Sequence, residues 1–176
     1  MIDIYSACVE HCGTIAQIHV TSWQEAYRGI IPDAVLDNLS APHRAERWRK
    51  TMLDHPTQPT FIATIFGDPV GFVNGGARRG DILREDAEVY ALYVLRRAQR
   101  RRIGTQLVEA LARALQQHGF NSLCLWVAKD NGPARRFYER LGGSQTAEKV
   151  EHRDDFDLVE VAYAWPRIDR INLLNA

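Results

Sequence analysis

The spacing of hydrophobic residues changes along this chain and predicts where its helices and strands lie. Apolar and polar residues alternate weakly at residues 2–5, which favours a first strand. Residues 14–27 carry apolar side chains at helical intervals, and Gly29 and Pro32 interrupt that pattern. A second helical region follows, as far as a loop that begins at His55.

The middle of the chain has the composition of β-strands. Residues 60–66 and 70–74 are rich in β-branched and aromatic side chains and are separated by a glycine–aspartate turn, so they predict a hairpin. Residues 75–86 are polar and are predicted as a loop or a frayed strand end. Residues 87–95 form the most strand-like stretch of the sequence.

Helices alternate with strands in the rest of the chain. One helix is predicted to end at Gly119, and another to begin at Asn131, with Pro133 in its first turn, and to stop at Gly142. Strands are predicted at residues 122–127, 145–151 and 156–164. The order β-α-α-β-β-β-α-β-α-β-β predicts one α/β domain over residues 1–176, with a mixed sheet and helices on both faces.

Length and charge exclude several classes of protein. The chain has 176 residues, with 22 Lys and Arg against 22 Asp and Glu, so its formal net charge is zero. A neutral chain has no global field to attract nucleic acid or an anionic membrane. The longest apolar run, residues 89–95, is too short to span a bilayer, and the N-terminus does not resemble a secretory signal. We therefore expect a cytoplasmic protein with no nucleic-acid and no membrane partner.

The cysteines and histidines follow no metal-binding or disulfide pattern. Three widely spaced cysteines do not make a disulfide framework. Cys8, His11, Cys12 and His19 lack the second ligand pair that strong zinc motifs require. Cys124 lies in the middle of a predicted strand and is expected to be a core residue. We expect no metal and no cysteine nucleophile.

A strongly basic segment, residues 96–102, lies between the strand at residues 87–95 and a helix that starts near Ile103 and Gly104. Its five arginines are Arg96, Arg97, Arg100, Arg101 and Arg102. The first turn of a helix leaves N–H groups unpaired at the positive end of the helix dipole, which suits a phosphate group. Gly104 lets an anion approach that backbone closely. This position favours a pyrophosphate site.

A basic run by itself more often indicates a solvated face or a weak nucleic-acid patch. The segment is not a Walker loop, because no Gly-Lys-Ser/Thr follows. It is not a dinucleotide fingerprint either, because the three spaced glycines are absent. Its place between a buried strand and an amphipathic helix is what favours phosphate binding.

The segment Gln99-Arg100-Arg101-Arg102-Ile103-Gly104 resembles the acyl-CoA loop of the GNAT superfamily of N-acetyltransferases. The family pattern is Gln or Arg, two variable residues, Gly, one variable residue, then Gly or Ala. Gln99 and Gly104 match it, whereas Arg102 stands where the family usually has its first Gly. If this position needs a positive φ, Arg102 is strained there; if it does not, the side chain itself can reach a phosphate.

A second block of residues continues the resemblance. Leu125-Trp126-Val127, Asn131, Ala134, Phe137-Tyr138 and Leu141-Gly142 resemble the strand and helix that follow the loop in GNAT proteins. The resemblance implies a mixed, mostly antiparallel sheet. It also implies an enzyme that moves an acetyl group from acetyl-CoA to a primary amine, of a small molecule or of a peptide or protein N-terminus, by direct attack.

The resemblance also implies which residues hold the donor. Main-chain groups of the strand before the loop would bind the pantetheine arm and orient the thioester carbonyl, with an oxyanion held by an N–H near Val94. The positions implied for cofactor binding are Leu92, Tyr93, Val94, Gln99, Arg100, Arg101, Arg102, Ile103, Gly104, Thr105, Asn131, Ala134, Phe137 and Tyr138.

Two residues are implied to act on protons. Glu88 lies 11 residues before Gln99 (99 − 88), where several family members place a general base, although the family also often uses a water relay. Tyr138 resembles the tyrosine that protonates the departing CoA thiolate. The structural alternatives are a solvent-facing strand glutamate and a core aromatic residue.

The acceptor is the least defined part of the prediction. Trp23, Gln24, Tyr27 and Arg28 are candidates for its wall, and Glu88 would contact it, although core packing explains a helical aromatic stripe equally well. Polyamines, amino-acid derivatives, aminoglycosides and protein N-termini all stay open.

Three further hypotheses remain. The chain could bind acyl-CoA without turnover, as a sensor of the same fold. It could bind nucleic acid through the arginines, which its neutral charge argues against. It could form a homodimer, for which Trp165 is a candidate interface residue.

Overall fold

A computed structural model describes residues 1–173 of the protein. The strands are β1 (Ile2–Ser6), β2 (Thr60–Ile65), β3 (Asp68–Ala77), β4 (Ala87–Val94), β5 (Leu123–Ala128), β6 (Ser144–His152) and β7 (Asp157–Trp165). The α-helices are α1 (Cys12–Ala26), α2 (Asp33–Asp37), α3 (Ala41–Asp54), α4 (Ile103–Gln117) and α5 (Gly132–Arg140). None of these helices is long and apolar enough to cross a lipid bilayer.

The strands form one seven-stranded sheet in the order β1-β2-β3-β4-β5-β7-β6. Every neighbouring pair is antiparallel except β4 and β5, which run parallel. Helix α4 lies against one face, where Leu107, Leu111 and Leu115 are fully buried. Helices α1 and α3 lie against the other face, around Ile15, Trp48 and other core residues. The predicted fold class, a mostly antiparallel sheet between helices, is confirmed.

Two element predictions differ from the structure. The second helical region consists of two helices, α2 and α3, because Ser40 caps α3 through its hydroxyl, which accepts the N–H of His43 at 3.3 Å. Strand β3 continues through residues 75–77, which were predicted as a loop or frayed end, and Gly75 and Gly76 pair with Val89 and Glu88. The short side chains at these positions carry no hydrophobic signal, although the backbone pairs there.

Strand β4 contains a bulge that opens the sheet. Asn74 of β3 pairs with Ala91, and Gly75 pairs with Val89, so Tyr90 is an extra residue on β4. Pairing between β4 and β5 stops at the same level, with Val89 opposite Leu125. Beyond it the two parallel strands separate, and their diverging ends leave a wedge-shaped gap in the middle of the sheet.

Trp165 is not an interface residue, contrary to the prediction. Its side chain is 3% exposed, its ring lies against Gly143, and its indole N–H donates to the carbonyl oxygen of Leu141 at 2.9 Å. The ring therefore fills the core between the last strand and α5. An exposed indole at the end of a strand and a buried one look the same in sequence.

Candidate functional site

A cavity of about 890 Å³ occupies the gap between β4 and β5. Its wall brings together most of the predicted site residues. These are Leu92, Tyr93, Val94, Gln99, Arg100, Arg102, Ile103, Gly104, Thr105, Asn131, Ala134, Phe137, Tyr138, Tyr27 and Arg28. Four predicted residues, Arg101, Glu88, Trp23 and Gln24, do not line it.

The edge of β4 presents backbone groups to this cavity. The N–H of Leu95 donates to the carbonyl oxygen of Val70 at 2.8 Å, so Leu95 faces β3. Because the backbone groups of a strand alternate in direction, those of Leu92 and Val94 face the gap that β5 has left. The side chain of Gln99 donates to the carbonyl oxygen of Val94 at 3.0 Å and so ties the basic loop to the end of β4.

The first turn of α4 opens onto the same cavity. Intrahelical bonding begins with the N–H of Gln106, which donates to the carbonyl oxygen of Arg102 at 3.0 Å. The earlier N–H groups, of Ile103 and Gly104 among them, therefore have no partner within the helix. They lie at the positive end of a 15-residue helix dipole, which favours an anion at this end of the cavity.

Arg102 adopts a left-handed conformation, with φ of 62° and ψ of 11°. The position therefore does need a positive φ, which is the reason that the family prefers glycine there. The guanidinium group of Arg102 donates to the carbonyl oxygen of Leu173 at 2.7 Å and so fastens the chain near its C-terminus to the loop. Arg100 also has a positive φ, of 61°.

The five arginines of the loop divide into two groups. The guanidinium groups of three are engaged within the protein: that of Arg96 donates to the backbone carbonyl oxygen of Glu25, that of Arg97 pairs with Asp68 at 2.5 Å, and that of Arg102 binds Leu173. Arg100 and Arg101 form no ion pair within residues 1–173, and of these two only Arg100 lines the cavity. The cationic surface available to a ligand is thus smaller than the sequence suggests.

Helix α5 supplies cations that the sequence analysis missed. Arg136 and Arg140 both line the cavity and form no ion pair within the described chain. They lie four residues apart, one turn along a helix, so they share a face. That spacing, next to Asn131 and Phe137, was the signal that could have identified them.

Gly104 is required by packing as well as by access to the backbone. A Cβ atom at this position would lie 3.1 Å from Cζ of Phe137, which is tighter than ordinary contact. The Phe137 ring thus rests on the first turn of α4 and joins it to α5. At the start of α5, the Asn131 side chain accepts the N–H of Ala134 at 3.3 Å, as predicted for a helix cap.

Three tyrosines meet at the centre of the cavity wall. Tyr138 is 8% exposed, and its hydroxyl makes no hydrogen bond to any of residues 1–173. Burial raises the pKa of Tyr138 above its ordinary value, and the nearby Tyr93 adds to that effect. Burial likewise raises the pKa values of Tyr27 and Tyr93, and Tyr93 accepts the indole N–H of Trp23 at 2.9 Å. All three phenols are therefore neutral near pH 7.

Glu88 is sequestered away from the cavity. Its side chain is 2% exposed and forms an ion pair with the guanidinium group of Arg79 at 2.6 Å. It also accepts the backbone N–H of Arg79 at 2.9 Å. The carboxylate therefore anchors the loop between β3 and β4, which is a structural role that the spacing to Gln99 did not indicate.

Glu160 is a titratable residue that the sequence analysis missed. It lies on β7 opposite Ala128, and it is close enough to Tyr27 for its charge to raise the pKa of that phenol. Burial, together with the adjacent Glu151, raises the pKa of Glu160 to about 7, against the opposing effect of Lys149 at 3.3 Å. The sequence does not indicate this raised pKa, because both the burial of Glu160 and its proximity to Glu151 depend on the fold.

The remaining predicted residues take supporting positions. Trp23 packs on Tyr27 behind the cavity wall, and Gln24 donates to the carbonyl oxygen of Leu36 at 3.1 Å. Arg28, at the cavity rim, is paired with Asp33 and Asp37. Cys124 is fully buried, as predicted. Within residues 1–173, no three His, Cys, Asp or Glu side chains are grouped closely enough to hold a metal ion.

Comparison with known proteins identifies the family. The acetyltransferase (GNAT) family matches residues 15–143, which include the basic loop and the second block. The chain belongs to this family. The predicted enzyme class, a GNAT N-acetyltransferase, is thereby confirmed.

Two relatives of this GNAT protein match it over most of its length. The uncharacterized N-acetyltransferase YuaI of Bacillus subtilis (strain 168) is 31% identical over 175 residues, covering 99% of this chain and 98% of the relative. The probable N-acetyltransferase Rv2775 of Mycobacterium tuberculosis is 29% identical over 161 residues, covering 90% and 82%.

Solved GNAT structures share the fold at lower identity. The PaiA N-acetyltransferase from Thermoplasma acidophilum, in complex with coenzyme A, has a TM-score of 0.69 at 20% identity, covering 92% of this chain and 98% of that structure. The putative acetyltransferase YncA from Salmonella typhimurium, with acetyl-CoA, has a TM-score of 0.69 at 18% identity, covering 96% and 94%.

Proposed function

We propose that this GNAT enzyme transfers the acetyl group of acetyl-CoA to a primary amine of a small molecule or of a peptide N-terminus. One observation carries the proposal: one wall of the wedge is the edge of β4 that β5 does not pair, and the first turn of α4 opens at the end of the wedge. An extended amide arm joined to a pyrophosphate matches that order of binding groups. The structurally similar YncA, solved with acetyl-CoA, and PaiA, solved with coenzyme A, support the same donor.

The donor would bind with its pyrophosphate at the first turn of α4. There the N–H groups of Ile103 and Gly104 face the cavity, and Arg100, Arg136 and Arg140 add positive charge at the rim. The pantetheine arm would extend beside β4, pairing with the backbone groups of Leu92 and Val94 as an added strand does. This arrangement would place the thioester near the tyrosine cluster.

The chemistry is the direct attack of a neutral amine nitrogen on the thioester carbon. The C–N bond forms, the carbonyl oxygen becomes an oxyanion, and the C–S bond then breaks to release CoA. The backbone N–H of Val94 is placed to hold the oxyanion, because it faces the gap. Overall, one proton leaves the nitrogen and one is taken up by the sulfur, so the step needs no metal.

Tyr138 would assist the departing sulfur. Tyr138 lines the cavity, and its hydroxyl makes no hydrogen bond to any of residues 1–173. A thiol is a stronger acid than a phenol, and burial raises the pKa of Tyr138 further, so complete transfer of its proton to the thiolate is uphill. Its contribution is therefore a hydrogen bond that stabilises the negative sulfur until solvent supplies the proton.

We propose Glu160, rather than Glu88, as the base that accepts the amine proton. Neither carboxylate lines the cavity itself, but Glu88 is held by Arg79, whereas Glu160 lies near Tyr27, which does line it. Burial and the neighbouring Glu151 raise the pKa of Glu160 to about 7, against the opposing effect of Lys149. A base with this pKa is half ionised at neutral pH and is suited to proton transfer there.

Calorimetric titration with acetyl-CoA and with CoA tests the donor site, and thiol release in the presence of an amine panel tests turnover. We expect micromolar binding and amine-dependent release of free thiol. Binding without any release would instead favour an acyl-CoA sensor of the same fold. The absence of binding at millimolar concentrations would contradict the proposal.

The cellular location and the oligomeric state of the protein are also proposals. We propose a cytoplasmic enzyme, and we keep the homodimer as a hypothesis without Trp165 at its interface. Light scattering distinguishes a dimer from a monomer of 20.0 kDa.

A further inference from the structure

The indole ring of Trp23 has two guanidinium groups close to it. Arg44, in the first turns of α3, places Cζ 5.7 Å from the ring centroid, and Arg153, between β6 and β7, places Cζ 5.6 Å from it. The ring of Phe156 supports Arg153 at 5.6 Å. Elements that are distant in sequence thus bring two cations to one aromatic residue.

These cations are poorly neutralised. Within residues 1–173, Arg44 has no carboxylate within ion-pair distance, although it is partly buried. Burial, followed by the charges of Arg47 and Arg153, lowers the pKa of Arg44 below its ordinary value. Arg153 has one acidic partner, Glu151, at 2.9 Å. A partly desolvated guanidinium next to like charges is costly unless an anion joins it, and the face of an indole provides only part of that compensation.

Arg44 and Arg153 do not themselves line the cavity, and they lie behind its Tyr93 wall rather than at the phosphate end. Both charges act on the hydroxyl of Tyr93, which lines the cavity and accepts the indole N–H of Trp23. Trp23 also packs against Tyr27, the neighbour of Glu160. The loop arginines and the first turn of α4 belong to the other end of the wedge, where the donor phosphates would bind. An anion at Arg44 and Arg153 would therefore come from the acceptor.

We propose that Arg44 and Arg153 bind an anionic group of the acceptor, so that the substrate is an amine that also carries a carboxylate or a phosphate-type group. This inference rests on the proposed acetyltransferase function and names its substrate class. Trp23 positions both guanidinium groups, and the amine lies toward Glu160. Polyamines and other purely cationic amines would be repelled by the same two charges.

Matched acceptor pairs test the proposal. Thiol release is measured for an amino acid against its amide, and for an aminoalkyl phosphate against the corresponding amino alcohol, with wild type, Arg44→Gln and Arg44→Lys. Arg47→Gln is the control. Arg47 is exposed one turn further along the same helix, so its substitution removes the same charge without changing a group that contacts Trp23. The two pairs distinguish a carboxylate from a phosphate-type anion.

We expect wild type to prefer the anionic member of at least one pair. Since charge-assisted hydrogen bonds distinguish these acceptors, Arg44→Gln should lower that preference in kcat/KM by about 10- to 100-fold, mainly through KM. Arg44→Lys should restore part of it, and Arg47→Gln should keep it. Equal losses for charged and neutral acceptors would show that Arg44 only supports Trp23, and would overturn the proposal.

Failure of this inference is distinguishable from failure of the proposed function. If the protein binds CoA and acetylates neutral amines as well as or better than anionic ones, the enzyme stands and the anion site does not. If CoA binds but no anionic amine is acetylated, the anion site is likewise rejected. If CoA does not bind, the donor site itself is wrong.

Discussion

At the scale of single residues, Arg100 and Arg102 show how the same residue type can serve different ends within one loop. Both have a positive φ, which costs about 1 kcal/mol or more for a residue other than glycine. Arg102 uses its side chain to hold the carbonyl oxygen of Leu173, whereas Arg100 lines the cavity without an internal ion pair. Because Arg100 forms no ion pair within residues 1–173, we expect a bound ligand to compensate the strain at this residue.

Glycine substitutions separate these two roles. Arg102→Gly relieves the strained φ but loses one hydrogen bond, so we expect the Kd for CoA to change by less than about threefold. Arg100→Gly relieves a similar strain but removes a free cation, so we expect about tenfold weaker binding or more. Calorimetry of both variants at two salt concentrations checks this. Weaker binding by Arg102→Gly than by Arg100→Gly would contradict the assignment of their side chains.

Glu160 and Glu88 differ in environment, and a matched amide substitution distinguishes them. Glu160 has a pKa raised to about 7, so its basic form is present above pH 7 and is lost as the pH falls below it. We expect Glu160→Gln to lower kcat/KM by about 100-fold or more and to remove the inflection near pH 7 from the pH–rate profile.

Glu88→Gln is the control for that variant. It should keep the inflection and lose less than about tenfold in activity. It should destabilise the fold by about 1–3 kcal/mol, because it weakens a buried, charge-assisted interaction with Arg79. A profile whose inflection disappears in Glu88→Gln but not in Glu160→Gln would return the base to Glu88.

At the scale of elements, one extra residue in β4 creates the site. With Tyr90 bulged, β4 bends away from β5, so the N–H groups of Leu92 and Val94 have no partner on β5, while the Val94 carbonyl oxygen accepts from Gln99. Regular pairing as far as Val94 would have filled that edge with β5. The donor site is thus a local interruption of the sheet, which α4 and α5 then line.

The contact between α4 and α5 can be tested with a pair of glycines. Gly104 and Gly13 each occupy the second position of a helix, but a Cβ meets Phe137 at 3.1 Å in the first case and nothing within 4 Å in the second. Gly13→Ala should stabilise the protein by about 0.5–1 kcal/mol, the usual effect of this change in a helix.

Gly104→Ala should lose that gain and weaken CoA binding, because the Phe137 ring must move at the cavity wall. Chemical unfolding and calorimetry measure the two effects. If Gly104→Ala is as stable as Gly13→Ala and binds CoA normally, the ring is not held against α4 as the structure indicates.

At the scale of the whole molecule, His19 lies in the core that joins α1, α3 and the sheet. Its ring stacks on Tyr93 at 4.9 Å, and its Nδ1 accepts the indole N–H of Trp48 at 3.2 Å. Burial, followed by the charges of Arg44 and Arg47, lowers its pKa from 6.5 to about 3. The folded protein therefore keeps this imidazole neutral when free histidine would be charged.

This difference predicts a loss of stability in mild acid. Below pH 6.5 the unfolded chain binds a proton at His19 that the folded protein does not, so the free energy of unfolding falls with pH, by about 2 kcal/mol at pH 5. Urea unfolding at pH 7, 6 and 5 measures the loss. The His19→Asn variant keeps a hydrogen-bond acceptor near the position of Nδ1 but has no group that titrates there. Between pH 7 and pH 5 its free energy of unfolding should therefore fall by about 2 kcal/mol less than that of wild type. Parallel losses in both proteins would rule His19 out as the cause.

The sequence by itself determined most of the elements, the family and most of the residues that line the proposed donor site. Local signals sufficed for these: the cap at Asn131, the stop at Gly119 and the basic loop are all features of neighbouring residues. The donor site follows from them, because a strand end, a loop and a helix N-terminus are consecutive in the chain.

Only the tertiary structure decided what each side chain does on the acceptor side. Arg79 captures Glu88, Glu151 and burial shift the pKa of Glu160, and the core encloses Trp165. Each outcome depends on strand order and on register, which bring together residues that are far apart in sequence. Burial and charge act through space, so a carboxylate acquires its pKa, and a guanidinium its partner, only once the sheet has formed.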